Sequence, residues 1–213
     1  MIRVLIADDE PLVRRGLRAI VDSEPDLEVV GEAEDGVVAV EAARSLAPDV
    51  VLMDIRMPRI DGIHATQLLG RVGAGPAVLI VTTFENDDYV YGALRCGARG
   101  FLLKRAEGEQ YADAIRTVHR GDSLLFPAAV RNLVGRHGTV RGTGLDHANL
   151  TEREHEVLRM MARGLSNVEI AEELVLGVET IKTHVRNVLT KLGVRSRIQA
   201  VIAAYESGFV PIR

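Results

Sequence analysis

Residues 50–62 read VVLMDIRMPRIDG. The apolar residues Val50 to Met53 run without alternation into Asp54, and the chain then breaks at Pro58 and turns at Asp61-Gly62. A strand apolar on both faces is a strand buried on both faces, as in a parallel sheet covered by helices. Its ending on a carboxylate leaves two readings open. Asp54 is polar punctuation where a strand leaves the core, or it is a reactive group.

Working outward, "RVLIAD" (3–8), "LEVVGEA" (27–33), "AVLIVTT" (77–83) and "ARGFLLK" (98–104) join the run at 49–54 as five candidate strands. Amphipathic segments at about 10–22, 36–46, 61–70, 87–96 and 108–119 separate and follow them. Such a β-α repeat predicts a doubly wound α/β domain over 1–120, with a five-stranded parallel sheet. Residues 121–148 are expected to be a linker, with a further helix at 126–136. Four glycines in "GRHGTVRGTGLDHAN" (135–149) support that reading.

From Leu150 onward only helical patterns remain, and 149–213 reads as an all-α four-helix domain. Three capping boxes, Thr151-x-x-Glu154, Ser166-x-x-Glu169 and Ser196-x-x-Gln199, mark helix starts. The apolar residues behind them fall at helical spacing: Val157, Leu158 and Met161; Ile170 and Leu174; Ile198, Val201, Ile202 and Tyr205. A fourth helix over 178–192 follows Gly177 and is expected to bury Ile181, Val185, Val188 and Leu192.

Composition narrows the class. The single cysteine, Cys96, excludes an internal disulfide and fits a reducing compartment. Acids at positions 8–10 argue against a signal peptide, and no apolar run reaches the length of a membrane span. A cytoplasmic protein without membrane contact is expected. Charge is uneven: residues 1–120 hold 14 Lys/Arg against 20 Asp/Glu. Thr180 to Tyr205 holds Lys182, Arg186, Lys191, Arg195 and Arg197 and no acid. An acidic front and a basic stretch near the end point to two parts with different partners.

In an open parallel sheet, active groups gather beyond the carboxyl ends of the strands. Asp8 and Asp9 end the first strand, Asp54 the third, Thr82 the fourth and Lys104 the fifth. Three crowded carboxylates need protons or a cation, and Mg²⁺ with oxygen ligands suits them. A hydroxyl and a lysine complete a site suited to one phosphoryl group, with Asp54 as nucleophile.

"IADDE", "MDIRMPRIDG", "VTT" and "GARGFLLK" together resemble the receiver domain of bacterial response regulators, which has the flavodoxin-like fold, across nearly all of 1–120. The resemblance implies that Asp54 accepts phosphate from a sensor histidine kinase. It implies that Asp9, Asp54 and the backbone carbonyl of Arg56 hold Mg²⁺, with Asp8 acting through water. Thr82 and Lys104 would meet the phosphoryl group, and Phe101 would swing as the switch residue.

The basic end fits a helix-turn-helix, whose second helix lies in the DNA major groove. With the apolar stripe inward, Lys182, Thr183, Arg186, Asn187 and Thr190 face out. "LTEREHEVLRMMARGLSNVEIAEEL" and "TIKTHVRNVLTKLGVRSRIQAV" resemble the LuxR-type output domain, and the whole chain resembles a NarL/FixJ-type regulator. That implies that Lys182, Thr183 and Arg186 contact double-stranded promoter DNA. It also implies a homodimer formed on phosphorylation, with contacts at Ile198, Val201, Ile202 and Tyr205. One departure is Gly177, where the family commonly has serine; glycine removes a side-chain cap from the recognition helix.

The expected function is therefore a two-component transcription regulator and not an enzyme, at most taking phosphate from a donor and losing it by hydrolysis. A phosphatase or phosphotransferase reading fails at Arg56. Such enzymes commonly place a general acid two residues after the nucleophile, and a guanidinium does not release its proton. The alternative left standing is a DNA-binding regulator independent of phosphorylation, its receiver a dimerisation or ligand-binding module.

Overall fold

A computed structural model describes residues 1–70, 75–83, 87–121, 134–135, 145 and 148–211. The chain divides into two compact units, Met1–Leu124 and Leu125–Arg213.

In the first unit all five expected strands form: β1 (Ile2–Ala7), β2 (Leu27–Ala33), β3 (Val50–Met53), β4 (Ala77–Thr82) and β5 (Gly100–Leu103). They pair in parallel in the order β2-β1-β3-β4-β5. Every residue of β3 and β4 is buried, as their unbroken apolar runs require. Between the strands run α1 (Pro11–Asp22), α2 (Gly36–Leu46), α3 (Gly62–Gly70) and α4 (Asp87–Arg95), with α5 (Gly108–His119) last. Helices α1 and α5 pack together on one face, and α2, α3 and α4 neighbour one another in turn on the other. Val4, Ile6, Val50, Leu52, Leu79 and Val81 meet Leu17, Val21, Tyr111 and Ile115 in one core cluster. The alternate side chains, Leu5, Val51, Met53, Val78 and Ile80, are equally buried. Period two along each strand thus serves both layers.

The expected strands at 3–8, 49–54 and 98–104 are trimmed at their ends, and the trimmed residues include the polar candidates. Asp8, Asp54 and Lys104 each lie one residue beyond the ladder. Their backbones stay tied to it. The N–H of Asp54 donates to the Ala7 carbonyl at 2.8 Å, that of Lys104 to Thr82 at 2.8 Å, and that of Asp8 to Ala33 at 3.1 Å. Backbone bonding of this kind aims side chains from different strands into the crevice between β1 and β3, where the strand order reverses.

The second unit contains α6 (Glu152–Arg163), α7 (Asn167–Leu174), α8 (Val178–Leu192) and α9 (Arg197–Glu206) among the described residues. All three expected capping boxes are made, at Thr151/Glu154, Ser166/Glu169 and Ser196/Gln199. Each cap is worth about 1 kcal/mol. Gly177 precedes α8 without a side-chain cap. Between α7 and α8 the chain turns sharply at Val175, whose φ of 54° places a β-branched residue in the left-handed region. Val157, Leu158, Met161, Ile170, Ile181 and Val188 are buried, whereas Leu174, Val185 and Leu192 are only half-buried. The helix expected at 126–136 lies outside the described residues except for Val134 and Gly135. Among the described residues no helix is long and apolar enough to cross a membrane.

Candidate functional site

The strand ends bring Asp8, Asp54 and Lys104 together in the first unit. Asp8 is 1% exposed and Asp54 5%. Lys104 Nζ stands 2.8 Å from Asp8 Oδ2, 3.4 Å from Asp54 Oδ2 and 3.3 Å from Glu10 Oε1. One ammonium therefore serves three carboxylates. Burial pushes the Asp54 carboxyl up to about 6, with Lys104 opposing and Asp8 adding to the rise. Burial works against the charge on Lys104, but its acidic neighbours outweigh it and hold its pKa above the ordinary value. Asp54 Oδ1 accepts from the Ile55 N–H at 2.8 Å, which leaves Oδ2 as the oxygen turned to Lys104.

Thr82 is the last residue of β4 and is buried, and Phe101 is half-buried in β5. Arg56 is exposed in the loop after β3. That loop lies close against Asp54. Gly62 opens α3 so near that a Cβ there would come within 2.0 Å of the Asp54 carbonyl oxygen, so only glycine fits. The Asp61-Gly62 turn seen in the sequence is thus set by backbone contact.

A further acid lies beside the expected carboxylates. Atoms of Asp8, Asp9 and Glu10 lie within 4.8 Å of one another as a cation group, and Asp9 and Glu10 are exposed. Asp54 shares the Lys104 ammonium with Asp8. Glu10 was missed because a third acid in "IADDE" reads as a solvated helix start. Its proximity to Lys104, 94 residues away, is a tertiary fact. The donors suit a hard cation: all are oxygens, and the buried Asp8 Oδ2 meets the Lys104 ammonium at 2.8 Å.

In the second unit Lys182, Thr183, Arg186, Asn187 and Thr190 are all exposed on α8, as expected, opposite the buried Ile181 and Val188. Lys182 Nζ pairs with Glu179 Oε1 at 2.6 Å, one turn toward the helix start. Of the five basic residues only Lys182 and Arg186 are on this face; Arg195 follows the helix, and the other two are tied inward. Lys191 Nζ is bound to Glu154 at 2.6 Å and to the Asn149 carbonyl at 3.1 Å. Arg197 is 8% exposed and donates to Asn167 Oδ1 at 2.9 Å and to the Leu165 carbonyl. Both are internal ties, so the basic stretch overstated the available charge.

The expected dimer contacts need correction as an open surface. Ile198, Val201, Ile202 and Tyr205 are 2%, 5%, 3% and 4% exposed. Their helix packs on α6 and α8, and the Tyr205 hydroxyl donates to the Ala162 carbonyl at 3.1 Å. A stripe at helical spacing can be a core stripe, and the sequence alone does not distinguish the two.

A five-stranded 2-1-3-4-5 sheet with a lysine-bound acidic cleft, joined to a helix-turn-helix unit, defines a receiver coupled to a DNA-binding output domain. Comparison with known proteins agrees. Residues 4–116 match the response regulator receiver domain, and residues 148–204 match the bacterial regulatory proteins of the luxR family. The chain belongs to the two-component response regulators with a LuxR-type output domain. It is 41% identical over 210 residues to the transcriptional regulatory protein LiaR of Bacillus subtilis, covering 99% of this chain and 100% of that one. It is 38% identical over 209 residues to the response regulator protein VraR of Staphylococcus aureus, covering 98% and 99%. Among solved structures, the response regulator ChrA of a heme-sensing two-component system is 38% identical, with a TM-score of 0.54 and 98% of each chain covered. The RcsB response regulator of Salmonella typhimurium is 28% identical, with a TM-score of 0.55 and coverage of 94% and 96%.

Proposed function

We propose that Asp54 is the phosphoacceptor of this regulator, charged by a sensor histidine kinase in the cytoplasm. The observation that carries this is a carboxylate 5% exposed with a lysine ammonium 3.4 Å from its Oδ2. Asp54 Oδ2 attacks the phosphorus of a phosphohistidine, the P–N bond breaks, and the imidazole leaves with its electron pair. The product is an acyl phosphate. Lys104, already in the crevice, exchanges a carboxylate for a phosphoryl oxygen, and the Thr82 hydroxyl donates to another. Asp8, Asp9 and Asp54 with the Arg56 carbonyl are the groups that would hold Mg²⁺, which supplies charge neutralisation at the transferring oxygens. Phe101 follows Thr82 as the switch side chain. The protein is not an enzyme on other substrates; it takes the phosphoryl group and loses it by hydrolysis.

Residues 1–120 are the receiver, 121–148 the linker and 149–213 the output domain in this reading. Lys182, Thr183, Arg186 and Asn187 contact double-stranded promoter DNA, and phosphorylation shifts the population toward a homodimer. The test is intact mass after incubation with a small acyl phosphate and Mg²⁺, beside Asp54→Asn. One added phosphoryl group in the wild type alone is expected. Equal addition to both proteins overturns the assignment.

A further inference from the structure

The loop from Ile55 to Asp61 follows Asp54 directly, donates the Ile55 N–H to Asp54 Oδ1 at 2.8 Å and carries the Arg56 carbonyl. Its far end is held by contacts that neither the receiver motifs nor the phosphoacceptor reading employs. Arg59 has a φ of 64°, one of four non-glycine residues in the left-handed region among those described. Such a conformation costs a residue with a Cβ about 1–2 kcal/mol, so something else must hold it. The Arg59 guanidinium grips Asp35, with Nε 2.6 Å from Oδ2 and a second nitrogen on the same oxygen. Asp35 is 2% exposed. Its other oxygen, Oδ1, caps α2 by accepting from the N–H groups of Val37 and Val38 at 2.8 and 3.0 Å. The two oxygens thus have separate tasks.

The neighbouring contacts tighten the same joint. A Cβ on Gly36 would come within 2.5 Å of the Ile60 carbonyl oxygen, so this part of the loop rests directly on the start of α2. At the other end the Gly62 N–H donates to the Ile55 carbonyl at 2.9 Å. The loop is therefore closed at its base and fixed at its tip, and the Arg56 carbonyl lies between these two points.

We propose that the Asp35–Arg59 ion pair is a latch that sets the loop after Asp54 in its cation-holding geometry, making Arg59 and Asp35 positioning residues for Mg²⁺ binding. This rests on the reading that Asp54 and the Arg56 carbonyl hold the metal. A mere strut would affect stability alone. A latch affects metal affinity, because groups that orient ligands from behind typically account for about 10- to 100-fold in binding.

The two tasks of Asp35 allow a clean separation. Asp35→Asn keeps an oxygen to cap α2, since asparagine caps as well as aspartate, and removes only the charge that holds Arg59. Arg59→Gly removes the latch from the other side while relieving the left-handed backbone. Mg²⁺ alone is titrated calorimetrically into the full-length wild type, Asp54→Asn, each latch variant and the double variant, with thermal melting in parallel. Both single variants are expected to lose about tenfold in Mg²⁺ affinity, with no further loss in the double variant. Arg59→Lys is expected to recover part of the affinity that Arg59→Gly loses. Wild-type affinity in both latch variants, alongside a loss in Asp54→Asn, overturns the latch and leaves the phosphoacceptor reading standing. Unchanged affinity in Asp54→Asn overturns the metal reading and the latch with it.

Discussion

Two lysines, each bound to a buried carboxylate, invite comparison. Lys191 has Glu154 and the Asn149 carbonyl, so one cation meets one anion. Lys104 has Asp8, Asp54 and Glu10, so one cation meets three. The first balance is closed, and the group is a strut tying α8 to the start of α6. The second is left negative, and burial, with Asp8 adding to it and Lys104 opposing, pushes the Asp54 carboxyl up to about 6. The proposed divalent cation and phosphoryl group would supply the charges that complete this balance. Sequence position gives no hint of this difference, because both lysines lie at the end of an apolar segment.

The largest test of the contrast replaces each lysine with methionine. Lys191→Met leaves a carboxylate that is 3% exposed without its cation. It should cost about 3 kcal/mol of output-domain stability in urea unfolding, the same in chelator as in Mg²⁺. Lys104→Met should cost a similar amount in chelator, but Mg²⁺ should return more stability to it than to the wild type. Equal Mg²⁺ effects on both variants would break the contrast. The acid side sharpens it. Burial works to raise the Glu154 carboxyl, but Lys191 and the Thr151 contacts outweigh it and hold it below the usual carboxylate range. A lowered pKa means that the pair's contribution is whole above the ordinary carboxylate range and is lost as pH falls through the folded value. That acid-side loss should be smaller in the stability profile of Lys191→Met, where only the Thr151 contacts remain.

A second test moves to the exposed face of α8. Arg186→Ala should weaken binding to duplex DNA by about tenfold and reduce the slope of log affinity against log salt by about 0.9, the mark of one phosphate contact. Lys182 begins from a pairing with Glu179, so Lys182→Ala should weaken binding less. An unchanged slope for both would remove α8 from the DNA interface.

The smallest effect expected is at the start of that helix. Gly177 provides no side-chain cap, and a Cβ there would meet nothing closer than Thr180 Oγ1 at 3.8 Å. Gly177→Ser should therefore stabilise the output domain by a few tenths of a kcal/mol, roughly the difference between the two residues as caps. Hydrogen exchange of the first turn of α8 would register it as slower exchange, and unchanged or faster exchange would reject the cap.

Much of this molecule is local, and what is local was legible. The unbroken run Val50–Met53 required burial on both faces. The boxes at Thr151, Ser166 and Ser196 each name a helix start, because a cap and its partner are three residues apart. Asp8, Asp54 and Lys104 could be assembled from sequence because a parallel sheet sends the end of every strand to the same edge. Only the tertiary structure decided the rest. Arg59 and Asp35 are 24 residues apart and Glu10 and Lys104 are 94 apart, so no spacing rule joins either pair. Ile198, Val201, Ile202 and Tyr205 have the spacing of a helix stripe, but what such a stripe faces depends on the helices packed against it. The sequence determined which elements form and which chemistry stands at their ends, because those follow from periodicity and capping over a few residues. Which charges are balanced, and which faces are covered, depends on segments far apart in the chain, and folding alone brings those together.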